Sequence, residues 1–188
     1  MPARPKTTDE RVTDSALAIL EREGIARVTM ARVATAAGVR APSLYKRFPD
    51  RAALLGRVRL QVLRDLERLM ATTASSLDPG ASLEAMGEAY RFFALRRPHA
   101  YLLLYAPGVT EHPETAPARL AAVRPLFDAL RALGVDDPHL LPASRSLVAF
   151  VHGYVTMEIA GAFHMAKPDA SHFRFGLRAL LASLRSRP

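Results

Sequence analysis

The chain has 188 residues, 49% of them hydrophobic and 23% charged, with a formal net charge of +8 and a pI near 10.5. That is ordinary globular usage, which argues against a disordered chain or a membrane protein and leaves one or two domains as the expectation. Cysteine is absent, so disulfides, thiolate nucleophiles and cysteine-based metal sites are all removed.

Taken in chain order, the basic excess comes first. Residues 1–60 hold 12 Lys+Arg against 6 Asp+Glu, while residues 61–188 hold 14 against 12, and concentrated positive charge points to a polyanionic partner. Residues 1–8 read as a mobile basic arm with two prolines and no periodicity. From Asp9 to Glu23, Val12, Ala16, Ile19 and Leu20 recur at helical spacing before Gly24 stops the run. Thr29 is placed to cap a two-turn second helix whose stripe is Met30, Val33, Ala34 and Ala37, with Gly38 ending it in the left-handed conformation. Pro42 suits the first turn of a short third helix on which Leu44 and Phe48 face one way, and Pro49 closes it. Asp50 can cap a longer fourth helix carrying Ala53, Leu54, Val58, Val62, Leu66 and Leu69, with a break over Ser75 to Gly80. Further helical stretches are expected at about 82–97, 98–106, 116–134, 140–166 and 169–186, and no strand-period run occurs, so the fold is expected to be all-α.

Two short helices joined by a glycine turn, Thr29 to Phe48, have the layout of a helix-turn-helix. Ala34 is small where the helices cross, Val39 plugs the corner, and Leu44 and Phe48 anchor the second helix. Arg40, Ala41, Ser43, Tyr45, Lys46 and Arg47 are then left facing outward, where they can enter a major groove. Lys46 and Arg47 are the expected base readers, because Arg and Lys pair with guanine O6 and N7. Thr29, Ser43, Tyr45 and Arg51 are the expected phosphate holders, and Arg32, Pro42 and Arg40 complete the DNA-facing set. The plain alternative is a three-helix packing unit with a solvated basic face.

The run TMARVATAAGVRAPSLYKRFPDRAALL, preceded by an amphipathic helix ending in Gly24, resembles the DNA-binding domain of the TetR (tetracycline-repressor-like) family over about residues 9–60. The resemblance implies an all-α homodimer: an N-terminal three-helix head over 9–55 binding a near-palindromic operator on double-stranded DNA, and a larger helical part over 56–188 that dimerises and holds an inducer. Three positions depart from the family pattern. Arg40 stands where a small capping residue is common, Pro42 where Gly or other residues are common, and Arg51 where Lys is common.

In the C-terminal part, the run LVAFVHGYVTMEIAGAFH is apolar almost all round, which suits a helix serving both a core and a subunit interface. The stretches 140–166 and 169–186 are the expected dimer helices, pairing with their copies as a four-helix bundle. Arg97 to Tyr101 and Val151-His152-Gly153 resemble the WHG type of TetR C-terminal domain, although the chain has no Trp. Tyr90, Phe93, Tyr101, Tyr105, Phe127, His152, Met157 and Phe163 are the available pool for a largely apolar small-molecule inducer site. The six histidines show no i, i+4 pair and no HExxH spacing, so neither a metal nor another cofactor is expected. A Gly-rich phosphate loop and a GxSxG elbow are also lacking, which disfavours an enzyme.

No apolar run approaches the roughly 18 residues that span a bilayer, and Met1 to Glu10 lacks the apolar stretch expected of a signal peptide. The expectation is therefore a cytoplasmic, nucleoid-associated bacterial regulator, probed against two other readings: a small α-helical enzyme and a DNA-binding protein without an effector.

Overall fold

The computed structural model describes residues 8–73, 78–165 and 169–185. The basic arm expected over residues 1–8 lies, apart from Thr8, outside them. All regular structure among the described residues is helical: α1 (Thr8–Glu23), a single 3-10 turn (Ile25–Arg27), α2 (Met30–Ala37), α3 (Ala41–Tyr45), α4 (Arg51–Thr73), α5 (Pro79–Arg96), α6 (Pro98–Leu103), α7 (Thr115–Ala132), α8 (Asp137–Ile159) and α9 (Ala170–Arg185).

Side-chain caps set the starts of α2, α4, α5 and α9. The Thr29 hydroxyl accepts from the Arg32 amide at 3.3 Å, and the Asp50 carboxylate accepts from the Ala53 amide at 2.8 Å, each satisfying one of the orphan donors of a helix N-terminus. Asp78 does the same for Gly80 and Ala81 at 3.0 and 3.3 Å. With that cap and Pro79 in the first turn, α5 starts three residues earlier than its apolar periodicity suggests. Asp169 accepts from the Ser171 and His172 amides at 2.6 and 3.2 Å at the head of α9; the bond from the Ser171 hydroxyl, then those from the two amides, hold its carboxyl below the usual range.

Two helices differ from their expected lengths for identifiable reasons. α8 ends at Ile159 rather than continuing to 166, because Gly161 takes φ 67° and the Ala162 amide turns back onto the Met157 carbonyl at 2.8 Å, the reversed C-terminal bonding that glycine permits. α3 has five helical residues, and Lys46 to Phe48 form a terminal turn in which the Phe48 amide reaches the Leu44 carbonyl at 2.9 Å. So short a helix is marginal by itself. Full burial of Leu44 and near-full burial of Phe48 hold it, each contributing roughly 1.5–3 kcal/mol.

The chain divides into two compact units. The first runs up to Arg64 and adds Arg97–Ala118. In it α1 packs against α2 and α6 around a core that includes Val12, Leu20, Val33, Leu44, Leu54 and Tyr101. α6 is tied to the end of α1 by the Arg97–Glu21 ion pair at 2.5 Å and by His99 Nδ1, 3.1 Å from the Glu21 carbonyl. The second unit comprises Asp65–Arg96 and the chain from Arg119 onward. There α5, α8 and α9 pack on one another, with Phe173, Leu177 and Leu181 of α9 buried.

Candidate nucleic-acid interface

The turn between α2 and α3 follows from Gly38. Its φ of 67° and ψ of 35° lie in the left-handed region, where a side chain is unfavourable. The Val39 amide closes onto the Ala34 carbonyl at 3.0 Å, and Arg11 of α1 donates to the Ala37 carbonyl at 3.0 Å. Ala34 and Ala37 are buried, as are Val33, Leu44 and Phe48, while Val39 is half-buried. The buried members of the expected set thus form the inner side of the motif.

Its outer side is polar. Arg40, Ala41, Pro42, Ser43, Tyr45, Lys46, Arg47 and Arg51 are all exposed, as is Thr29, and Arg32 is half-buried. Ala41 through Tyr45 share α3, whereas Lys46 and Arg47 sit in the turn after it. Arg40 occupies the N-cap of α3 and makes no side-chain cap bond; a guanidinium has no acceptor to offer the orphan amides.

The five cations between Thr29 and Arg51 fall into two groups. Three are bound within the unit. Arg32 pairs with Glu23 at 2.8 Å and donates to the Arg27 carbonyl at 3.3 Å, and this hydrogen-bonded contact, helped by Arg22, holds the Glu23 carboxyl down at about 2. Arg47 pairs with Asp9 in the first turn of α1. Arg51 donates from Nε to the Val28 carbonyl at 2.6 Å and from Nη2 to the Ile25 carbonyl at 2.5 Å. The side chains of Arg40 and Lys46 have no hydrogen-bond or ion-pair partner among the described residues. Sequence spacing does not reveal these pairings, since the partners stand up to 38 residues apart.

The expected inducer pool is distributed over both units. Tyr101, fully buried, and Tyr105, half of it exposed, belong to the first unit and meet edge to face at 5.7 Å. Tyr90, Phe93, Phe127, His152, Met157 and Phe163 belong to the second. Phe93 is buried; Tyr90, Phe127, His152 and Phe163 are half-buried; Met157 is exposed. Burial lowers the His152 pKa, keeping the imidazole neutral at pH 7.

The second unit also holds a cluster that residue spacing did not single out. Tyr154 lies 4.9 Å from the Phe163 ring and 5.2 Å from Phe173, which stacks on Phe150 at 5.8 Å. Arg91 stands over Phe173 at 5.7 Å and binds Glu158 through two hydrogen bonds of 2.8 and 2.5 Å. Burial, then the Glu158 charge, push the Tyr154 hydroxyl pKa up. Phe150 and Tyr154, four apart in the apolar run, were detectable as a helical pair; Arg91 and Glu158, 67 residues apart, were not. Among the described residues no cluster of His, Asp and Glu could hold a metal ion, and no helix is long and apolar enough to cross a membrane.

Two family models match this chain: bacterial regulatory proteins of the tetR family, over residues 12–58, and a tetracyclin repressor-like C-terminal domain, over residues 83–180. An uncharacterised helix-turn-helix-type transcriptional regulator of Mycobacterium tuberculosis (strain ATCC 25618 / H37Rv) is 28% identical over 170 residues, which are 89% of this chain and 78% of that protein. The helix-turn-helix-type transcriptional repressor DrrR1 of Streptomyces coeruleorubidus is 29% identical over 157 residues, 81% of this chain and 52% of the repressor. Among solved structures, BioQ bound to its natural double-stranded DNA operator superposes with a TM-score of 0.70 at 26% identity, covering 97% of this chain and 100% of BioQ.

Proposed function

We propose that this chain, which belongs to the tetracyclin repressor-like family of bacterial transcriptional regulators, is a repressor that binds a near-palindromic operator as a homodimer and is released by a small, largely apolar inducer. The observation that carries the reading is the exposed side of α3 and its flanks: Ser43 and Tyr45 on the helix, Arg40 at its N-cap and Lys46 in the turn after it, all seated by buried Leu44 and Phe48. Rigid seating of a polar helix face is what groove recognition needs. Repression is supported by the likeness to DrrR1, and operator binding by the likeness to BioQ in its DNA complex.

In this reading residues 9–55 are the DNA-binding head. Lys46 and Arg47 read bases; Thr29, Ser43 and Tyr45 hold phosphates; Arg32, Arg40, Ala41 and Pro42 line the contact. Residues 56–188 dimerise and take the inducer. Phe175 of α9 is 79% exposed, and Leu141, Val148 and Met157 of α8 are exposed as well, so both expected dimer helices present apolar surface that a second copy would cover. Arg97 to Tyr101 and Val151-His152-Gly153 are the features that favour the WHG type. The chain carries out no catalysis and takes no metal, and it works in the cytoplasm on the nucleoid.

Selection of bound fragments from genomic DNA tests the reading directly. The expected product is a site with two-fold symmetry; enrichment of no sequence would overturn it. On the recovered operator, Lys46→Ala should cost roughly 1–3 kcal/mol at one base position if Lys46 reads a guanine. Fluorescence anisotropy with single-base variants checks this, and a uniform loss across variants would move Lys46 to the phosphate holders.

A further inference from the structure

We infer that Arg51, whose place in the motif suggests a phosphate contact, is instead a positioning residue that braces the turn leading into α2. The inference rests on the DNA-binding reading above for its functional consequence, although its structural half can be tested without DNA.

The turn Gly24–Val28 joins α1 to α2. It is held by its own amides, Arg27 onto the Gly24 carbonyl at 3.1 Å and Val28 onto the Ile25 carbonyl at 3.2 Å. Gly24 sits at φ 83°, and none of its three residues in 3-10 conformation is buried. A single exposed turn of this kind has little intrinsic stability. Three side chains from other helices steady it. His99 of α6 lies against Gly24, Arg32 of α2 donates to the Arg27 carbonyl, and Arg51 of α4 spans the carbonyls of Ile25 and Val28.

The Arg51 contacts differ from the others in kind. Nε and Nη2 lie on one edge of a planar guanidinium, so the two bonds fix both the distance and the angle between α4 and the turn. Val28 is fully buried and immediately precedes the Thr29 cap, so a displacement of this carbonyl carries directly to the first turn of α2. A lysine ammonium carries its three donors on one freely rotating nitrogen, so even when it reaches both carbonyls it does not fix the angle between them. With its Nε edge turned inward, Arg51 acts on DNA through the placement of Thr29 and α2.

The test compares the full-length wild-type chain with Arg51→Ala and Arg51→Lys. First, amide hydrogen exchange is followed in the free proteins. Both variants should speed exchange at Arg27 and Val28 by at least several-fold while amides in the middle of α4 keep wild-type rates. Wild-type protection at Arg27 and Val28 in both variants would overturn the inference whether or not the chain binds DNA. Second, anisotropy titrations against the selected operator are made over a salt series. Arg51→Ala and Arg51→Lys should lose affinity alike, by roughly ten-fold, with the slope of log K against log[salt] unchanged. A slope reduced by about 0.9 in the Ala variant and restored with affinity in the Lys variant is the signature of a phosphate contact and would overturn the positioning role. If wild-type chain binds no operator yet the exchange result holds, the DNA reading fails and the brace stands as a structural one.

Discussion

Gly56→Ala is expected to destabilise the protein by about 1–3 kcal/mol, although alanine is the better helix former. In an open helical position the exchange would gain roughly 0.5–1 kcal/mol. Here a Cβ would stand 2.1 Å from the Thr110 carbonyl oxygen and 3.2 Å from its carbonyl carbon. Those are backbone atoms of a segment also tied to α4 by the Thr110 amide, 3.3 Å from the Ala52 carbonyl, so no side chain can rotate to make room. Gly176 supplies the contrast: its nearest neighbours are Phe150 ring atoms at 2.6 and 2.7 Å, the far end of a side chain that can swing, and the corresponding alanine variant should lose less. Urea denaturation of both variants checks the order. A Gly56→Ala protein as stable as wild type would mean that residues 106–114 do not lie against α4 in this way.

Replacement of Arg59 has the largest expected effect. This residue of α4 is 6% exposed; its Nε donates to the Leu103 carbonyl at 3.1 Å and Nη2 to the Ala106 carbonyl, with Glu111 at 3.6 Å. A charge so far out of water is tolerated because the Leu103 carbonyl, at the negative pole of α6, and the Ala106 carbonyl just beyond that helix accept its donors and the Glu111 carboxylate lies near. Arg59→Met retains the stem and removes the donors, and should cost about 1–3 kcal/mol by leaving buried acceptors unpaired. Arg59→Ala adds the lost packing and should cost about 3–5 kcal/mol. Arg68, with a side chain 75% exposed and an ion pair three residues away, should change stability by less than about 0.5 kcal/mol when made alanine. Thermal denaturation followed by circular dichroism separates the three variants.

Much of the helical order was legible because it is written locally. Thr29, Gly38 and Asp50 sit one residue outside the helices that they bound, and each caps as its side chain or its lack of one dictates. The ends that were misjudged involve rival local signals. Apolar residues continue past Ile159, yet Gly161 adopts the left-handed conformation and stops α8; Pro79 could close a loop or open a helix, and Asp78 decides for the helix. The outward set of the motif was likewise legible from the inward positions of Leu44 and Phe48. What was not legible is where its cations are directed. Arg32, Arg47 and Arg51 read as three more members of a basic face, and their engagement by Glu23, Asp9 and two carbonyls depends on how α1 and α4 pass the motif. The Arg91–Glu158 pair with its aromatic neighbours was hidden for the same reason: no period connects residues that only tertiary packing brings together.

The first unit is assembled from two separate stretches of chain, and this governs how its parts can be exchanged. An N-terminal fragment cut at a single point near Arg64 would leave α1 without the α6 contacts of Arg97 and His99, and would strip Arg59 of the carbonyls that make its burial tolerable. A chimera that exchanges part of this unit with a relative must therefore either transplant Arg97–Ala118 together with the N-terminal segment or confine the swap to the exposed positions of α3 and the turn after it. The second course disturbs no buried contact, since Ser43, Tyr45 and Lys46 alternate with an anchor, Leu44, that stays in place. Residues can change at those positions while the unit beneath them remains the same joint product of two distant segments.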